Sequence, residues 1–161
     1  MTEFERLRNV VAHLRAEDGC PWDREQTHRS LKPECIEEAA EVVCGINILE
    51  GTGDAENLKE ELGDLLLQVV MHAQIAEEEG LFTMDDVCRG ISDKMIRRHP
   101  HVFGSETVNG SGEVVTKWAD IKKAEKSGKE WVEAYLPEAF DEAKKLIDVA
   151  KERKFGKGEI E

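Results

Sequence analysis

Apolar positions recur every three or four residues along most of the chain, which is the spacing of one face of an α-helix. Turn residues interrupt this periodicity at residues 51–54, at Gly80 and at Pro100. The pattern predicts helices at about residues 2–16, 30–50, 54–79, 83–98, 115–126 and 138–154, with loops at 17–27 and 103–112. In the third helix the predicted buried stripe contains Leu58, Leu62, Leu65, Val69, Ala73 and Ala76.

Strands are poorly supported by the sequence. Runs that alternate β-branched and polar residues are nearly absent, and Glu113–Thr116 is the one short candidate. A length of 161 residues suits one domain with a sizeable core. We therefore predict an all-α helix bundle that forms a single domain over residues 1–161, with a core at about 2–126 and a helical tail at about 137–156.

Two pairs of acidic residues share the same helical spacing. Glu38 and Glu41 lie three residues apart in one predicted helix, and Glu61 and Asp64 repeat the spacing in the next. Residues three apart project from the same side of a helix, so antiparallel packing of the two helices would bring four carboxylates together. Their mutual repulsion requires a cation, and such oxygen ligands favour Mg²⁺, with Mn²⁺ as the alternative.

The same acidic residues also fit a simpler interpretation, a solvated face of two helices. Glutamate favours helices, and the chain contains 35 acidic residues. The spacing alone leaves both interpretations open. Gly45, one turn beyond Glu41, adds a separate expectation, because a glycine inside a helix is costly and its presence indicates that another group approaches closely.

The formal net charge of −13 argues against a nucleic-acid-binding surface, which normally has a basic patch. Basic residues are concentrated at the end of the fourth predicted helix, at Lys94, Arg97 and Arg98. They either complement the helix dipole or bind phosphate oxygens beside a metal site. Trp118 and Lys122 lie one helical turn apart, and are either core or interface residues or a pair that stacks a base and binds a phosphate.

Cysteine spacing and hydropathy bear on the cellular compartment. The four cysteines show neither a C-x-x-C pair nor the spacing of a zinc site. The N-terminal segment is amphipathic and charged rather than a signal peptide, and no apolar run approaches the ~20 residues that span a membrane. We expect a cytoplasmic protein that binds neither membranes nor nucleic acid.

Several segments together resemble the MazG-type nucleoside triphosphate pyrophosphohydrolases. Glu37-Glu38-Ala39-Ala40-Glu41 followed by Glu61-Leu62-Gly63-Asp64 is similar to the E-E-x-x-E…E-x-x-D signature of that family. The resemblance covers roughly Thr2–Lys126, and similarity of that extent is specific. The further segments that carry it are Gly19-Cys20-Pro21-Trp22-Asp23, Glu60 to Val70, Arg97 to Gly104, Trp118 and Ile121 to Lys126.

The resemblance implies a bundle of the all-alpha NTP pyrophosphatase type, a homodimer with active sites between helices, and Mg²⁺-dependent hydrolysis of nucleoside or deoxynucleoside triphosphates to the monophosphate and pyrophosphate. It also implies that Glu37 or Glu38 orients the attacking water, and the sequence does not choose between them. The implied metal ligands are Glu38, Glu41, Glu61 and Asp64, and the implied nucleotide-binding residues are Lys94, Arg98, Trp118 and Lys122.

Two departures from the family pattern affect these expectations. Many family members carry two such domains in tandem, whereas this chain has room for one. Glu34 lies on the same side of its predicted helix as Glu38 and Glu41, where the family is expected to have an apolar or aromatic residue. It is either a further ligand or an exposed side chain.

Two other functions compete with hydrolysis. A ferritin-like di-iron site needs E-x-x-H units on two helices, and only Glu25 and His28 have this spacing, at a loop–helix junction. A helical regulatory module that binds a nucleotide without hydrolysing it would have the same sequence features as the enzyme.

Overall fold

The structure of the protein is a computed structural model that describes residues 1–156. The last five residues of the predicted single domain, 157–161, lie outside the described residues. The described part is helical without strands, which confirms the prediction of an all-α fold. Its helices are α1 (Glu3–Leu14), α2 (Pro21–Glu25), α3 (Lys32–Thr52), α4 (Glu56–Glu78), α5 (Met84–Arg98), α6 (Pro100–Phe103), α7 (Ser111–Lys126), α8 (Glu130–Glu133) and α9 (Leu136–Phe155).

The chain divides into two compact units. The first contains residues 1–84 together with residues 141–156, and the second contains residues 85–140. The first unit therefore includes α1 to α4 and most of α9. The second unit includes nearly all of α5 and the whole of α6, α7 and α8. None of the helices in the described chain is both long enough and apolar enough to cross a lipid bilayer.

The centre of the first unit is the pair formed by α3 and α4. Only three residues, Gly53 to Ala55, connect these helices, so they pack antiparallel as the metal-site hypothesis required. Gly53 ends α3 with a φ of 78°, a conformation that favours glycine. The Asp54 carboxylate accepts a hydrogen bond from the Glu56 amide at 2.9 Å, which caps the start of α4.

Helix α1 packs on α4, and an ion pair at the end of α1 joins the two helices. Val11 of α1 is fully buried. The Arg15 guanidinium follows α1 and binds the Glu78 carboxylate through two nitrogens, at 3.0 and 2.7 Å. The Arg15 side chain is only 6% exposed, and its donors hold the pKa of Glu78 below its usual range. The remaining buried apolar residues of the core are Leu31, Val70, Met71, Ala73, Ile75, Ala76 and Met84.

The predicted stripe of α4 is only partly correct. Ala73 and Ala76 are buried, but Leu62 and Val69 are 50% and 40% exposed. On the side of α4 that faces α3, Leu58 of the predicted stripe does lie against α3. The predicted period was therefore right, but the stripe was drawn too wide, because acidic side chains share the interhelical side with Leu58.

Three smaller expectations also needed correction. Pro21–Glu25 was predicted to be loop but forms α2, which begins with a proline, a residue suited to the first turn of a helix. The short α8 was not predicted. The strand candidate Glu113–Thr116 is wrong, since it lies inside α7. Glu113 accepts a hydrogen bond from the Asn109 amide at 2.9 Å and pairs with Lys117 one turn later, contacts that stabilise the start of a helix.

Candidate functional site

Three of the four predicted metal ligands converge between α3 and α4. Glu38 projects from α3, and Glu61 and Asp64 project from α4 one turn apart. One carboxylate oxygen of each lies within 4.8 Å of those of the other two, and all three side chains are half-buried. The antiparallel packing of two helices with the same acidic spacing produces this convergence.

The electrostatics of this group show how closely its charges are packed. Burial is the first cause that raises the pKa of Glu38 above its ordinary value, and the nearby carboxylates of Asp64, Glu34, Glu37 and Glu61 raise it further. Like charges at this separation repel one another in a partly buried site. Glu34, which the sequence left as either a ligand or an exposed residue, is near enough to contribute to this field.

Asn57 fixes the position of one of the three carboxylates. It lies one turn before Glu61 on α4, and its side-chain amide donates a hydrogen bond to Glu61 Oε1 at 2.8 Å. The Asn57 Oδ1 atom is buried and accepts no hydrogen bond within the described residues. Sequence reasoning did not identify Asn57, although its spacing of four residues from Glu61 is the signal that could have found it.

Glu41, the fourth predicted ligand, lies outside the group of three and is paired instead with α9. Its carboxylate contacts the Lys154 ammonium in the last turn of that helix. Lys154 also binds Glu37 at 2.8 Å, and Arg153 pairs with the same carboxylate. Glu37 is buried, and the Lys154 hydrogen bond is the largest of the effects that hold its pKa below the usual range.

The group of Glu38, Glu61 and Asp64 fits a hard divalent cation. Its donors are carboxylate oxygens, which match Mg²⁺ and Mn²⁺ better than softer metals. Within residues 1–156 it is the one group of three or more acidic, histidine or cysteine side chains with suitable spacing, and it contains no imidazole. Glu25 and His28, the E-x-x-H pair on which the di-iron alternative depends, are not part of this group.

A second polar cluster of the first unit lies farther along the same pair of helices. The imidazoles of His28 and His72 are stacked, with a distance of 2.7 Å between their Nδ1 atoms. On the other side of the His72 ring, Nε2 lies 3.2 Å from the Cys35 thiol. Burial lowers the pKa of His72, and His28 lowers it further, while burial raises the pKa of Cys35. Both groups are therefore held in their neutral forms.

In the second unit, the structure brings three of the predicted nucleotide-binding residues together. Arg98 and Lys122 both lie over the Trp118 ring, with Cζ at 5.6 Å and Nζ at 4.8 Å from its centroid. These are cation–π distances. Lys94 lines a neighbouring cavity together with Arg98 and Arg97.

Glu125 of α7 holds the two arginines of this cluster. It accepts from Arg98 Nη2 at 2.6 Å and from Arg97 Nε at 2.7 Å. The Arg98 hydrogen bond is the main cause that lowers the pKa of Glu125. This carboxylate was not predicted, because nothing in the sequence pairs α5 with a particular turn of α7.

Comparison with known proteins gives a consistent result. Residues 26–103 match the MazG nucleotide pyrophosphohydrolase domain. The nucleoside triphosphate pyrophosphohydrolase/pyrophosphatase MazG of Thermotoga maritima is 52% identical over 126 residues, which are 78% of this chain and 46% of that protein. The nucleoside triphosphate pyrophosphohydrolase of Escherichia coli strain K12 is 45% identical over 130 residues, 80% of this chain and 48% of that protein.

A third relative is the uncharacterized protein YabN of Bacillus subtilis, 52% identical over 128 residues, 80% of this chain and 25% of that protein. The chain thus spans between a quarter and about half the length of these three curated relatives. The resemblance to the MazG-type proteins that the sequence motifs indicated is confirmed by these matches.

Proposed function

This chain carries a MazG nucleotide pyrophosphohydrolase domain at residues 26–103, and from that premise we propose that it hydrolyses nucleoside or deoxynucleoside triphosphates to the monophosphate and pyrophosphate with Mg²⁺. The observation that carries the proposal is the convergence of Glu38, Glu61 and Asp64 inside the matched domain. The names of two relatives, the proteins of Thermotoga maritima and Escherichia coli, support the same reaction class.

The metal ligands of this proposal are Glu38, Glu61 and Asp64, with Glu41 as the fourth. Burial and, after it, repulsion by neighbouring carboxylates raise the pKa of Glu38, and this repulsion supports a site built for a cation. A bound divalent ion would neutralise negative charge on the phosphate oxygens and on the leaving pyrophosphate. Asn57 would keep Glu61 in a fixed orientation through its hydrogen bond to Oε1.

Glu38 is the better candidate of the two residues proposed to orient the attacking water. Glu37 is buried and its oxygens are paired with Lys154 and Arg153, which lower its pKa and weaken it as a proton acceptor. Glu38 makes no such ion pair among the described contacts, and its raised pKa suits an acceptor. One of its two oxygens would accept from the water while the other serves the metal.

Trp118, Arg98, Lys122 and Lys94 are the proposed nucleotide-binding residues. An indole presents a flat face for stacking a base, and the cations beside it suit phosphate oxygens. The contacts of Arg98 and Lys122 with the Trp118 ring support this assignment, because they hold an aromatic face and two positive charges together.

We also propose that the chain forms a homodimer through the exposed apolar side of α3 and α4. Val43 on α3 is 57% exposed and Leu62 on α4 is 50% exposed. Three further apolar residues of the same two helices are exposed: Ile46, Leu66 and Val69. An apolar surface of this kind is typical of an interface, and a monomer mass near 18 kDa in light scattering at micromolar concentration would contradict the proposal.

The direct test measures pyrophosphate release from a panel of ribo- and deoxyribonucleoside triphosphates with Mg²⁺. We expect hydrolysis with Mg²⁺ or Mn²⁺, none in EDTA, and inhibition by Ca²⁺, which prefers longer bonds and more ligands. Asp64→Asn should abolish hydrolysis. Glu60→Gln is the matched control, because Glu60 lies on the same helix with an exposed side chain. Full turnover in EDTA would disprove the metal role, and nucleotide binding without turnover would identify a regulatory module.

A further inference from the structure

The last turn of α9 supplies positive charge to the acidic motif. Lys154 contacts both Glu37 and Glu41, and Arg153 contacts Glu37. These two carboxylates flank Glu38 in the sequence of the same helix. Within the acidic motif of α3, Glu38 is therefore directed toward Glu61 and Asp64 of α4. The two carboxylates that flank it are paired with α9 instead.

The contact with Lys154 conflicts with the metal role proposed for Glu41. A carboxylate that already binds an ammonium can join a metal site only if the ammonium moves, because two cations on the same carboxylate repel each other. The Lys154 side chain is 37% exposed, so a path into solvent is open to it. The release of Lys154 is therefore coupled to the recruitment of Glu41.

Helix α9 is attached to α3 loosely enough for such a release. Among the described residues, α3 packs most extensively on α4, and the contact between α3 and α9 is not one of the extensive helix contacts. A cavity of about 230 Å³ separates α3 from α9 near Glu41, lined in part by Cys44, Ile147 and Phe155. Nearer the start of α3, Lys32 and Glu142 form an ion pair at 3.0 Å, with both side chains about half exposed.

We propose that Lys154, supported by Arg153, is an internal cation that a divalent metal ion must displace from Glu41, so that metal binding loosens the last turn of α9. This inference rests on the metal site of the proposed function. It assigns to the C-terminal helix a regulatory contact that keeps the acidic motif neutralised and lowers its affinity for metal. Thermodynamic reciprocity requires that metal binding weakens the Lys154 contact by the same factor by which that contact weakens metal binding.

The test measures Mn²⁺ binding by titration calorimetry, without nucleotide, to the full chain and three variants. Lys154→Met removes the charge with little loss of side-chain length and should tighten Mn²⁺ binding about two- to fivefold, as expected for a partly exposed ion pair. Lys154→Arg keeps the charge and should bind as the wild type does. Lys151→Met is the matched control, since Lys151 lies one turn earlier on α9, lines the same cavity and is exposed.

Hydrogen exchange gives a second readout that needs no substitution. In the wild-type chain, saturating Mn²⁺ should speed amide exchange in the last turn of α9, around residues 151–155, and slow it in α3 and α4. This measurement answers the question even if Lys154→Met fails to fold. Unchanged or slower exchange in that turn would overturn the proposal.

The outcomes separate this inference from the proposed function. Equal or weaker Mn²⁺ binding by Lys154→Met, or tighter binding by Lys154→Arg, would overturn the displacement of Lys154 and leave the metal site standing. Absence of Mn²⁺ binding in all four proteins would overturn both. Tighter binding by Lys154→Met in a protein that hydrolyses no nucleotide would support the displacement and contradict the enzymatic proposal.

Discussion

Gly45 of α3 lies directly against Leu58 of α4. A Cβ atom added to Gly45 would come within 2.8 Å of the Leu58 Cα, a distance that real Cβ atoms do not reach. Gly45 follows Glu41 by one turn, and Leu58 precedes Glu61 by about one turn. The absence of a side chain at position 45 thus sets how closely the two acidic segments approach each other.

We predict that Gly45→Ala destabilises the protein by about 1–2 kcal/mol. Overpacking of a helix contact typically costs about 1–3 kcal/mol, and the better helix propensity of alanine returns up to about 1 kcal/mol. Chemical denaturation measures the change. Gly51→Ala is the control, because Gly51 is in the same helix and no atom lies within 4 Å of its Cβ position. Equal effects of the two substitutions would show that the close approach is unimportant.

We predict that Asn57→Leu weakens metal binding without unfolding the protein. The substitution removes the hydrogen bond that orients Glu61 and also removes a buried Oδ1 that accepts no bond in the described structure. Loss of an orienting partner typically costs about tenfold or more in metal affinity, whereas removal of a buried unsatisfied acceptor favours stability. The Mg²⁺ concentration for half-maximal pyrophosphate release should rise accordingly. An unchanged Mg²⁺ requirement would contradict a positioning role for Asn57.

Neutralising Asp64 and neutralising Glu41 should change the stability of the metal-free protein in opposite directions. Asp64 repels Glu38, so Asp64→Asn should raise the unfolding temperature in EDTA by about 1–4 °C, equivalent to about 1 kcal/mol or less. Glu41 is paired with Lys154, so Glu41→Gln should lower that temperature. Differential scanning calorimetry compares the two. A marked loss of stability in Asp64→Asn would mean that its carboxylate is structural.

The parts of the site that could be predicted are those set by local spacing. Glu61 and Asp64 share a face because they are three residues apart, and Gly45 in a helix indicated the close contact that Leu58 makes. The width of the buried stripe of α4 could not be read from apolar residues alone. Leu62 and Val69 were predicted to be buried, yet acidic side chains of α4 share the interhelical side with Leu58, and these two are exposed.

The contacts of α9 were outside the reach of sequence reasoning for a different reason. Arg153 and Glu37 are 116 residues apart, and no periodicity connects them. The predicted tail placed a helix at the right part of the chain, but its partner on α3 depends on tertiary packing. The assignment of Glu37 and Glu41 therefore required the structure, whereas the convergence of Glu38 with Glu61 and Asp64 followed from spacing and antiparallel pairing.

Acidification should weaken the first unit through His72. Burial, with His28 as the second cause, lowers the pKa of His72 below its ordinary value of 6.5, so the folded state takes up a proton at this ring less readily than the unfolded state. One neutral tautomer of the ring satisfies both neighbours: its Nε2 would accept from the Cys35 thiol, and its Nδ1–H would donate to His28 Nδ1. The stability that the neutral His72 ring contributes is fully present above about pH 6.5. It is lost as the pH falls through the lower pKa that His72 has in the folded state.

We therefore expect the wild-type protein to lose more stability between pH 7.5 and pH 5.5 than His72→Gln does, measured by urea unfolding at each pH. Glu79 lies 3.9 Å from His28 Nε2, and the carboxylates of Glu34 and Glu38 act on the Cys35 thiol. These groups and His28 all remain in the variant. His13→Gln is the control for removing an exposed imidazole. It should retain the wild-type pH dependence, because His13 is exposed and is not part of the cluster of His28, His72 and Cys35. If His72→Gln keeps the wild-type dependence as well, the acid sensitivity arises elsewhere, and the stacked His28–His72 pair accepts a proton without a cost to folding.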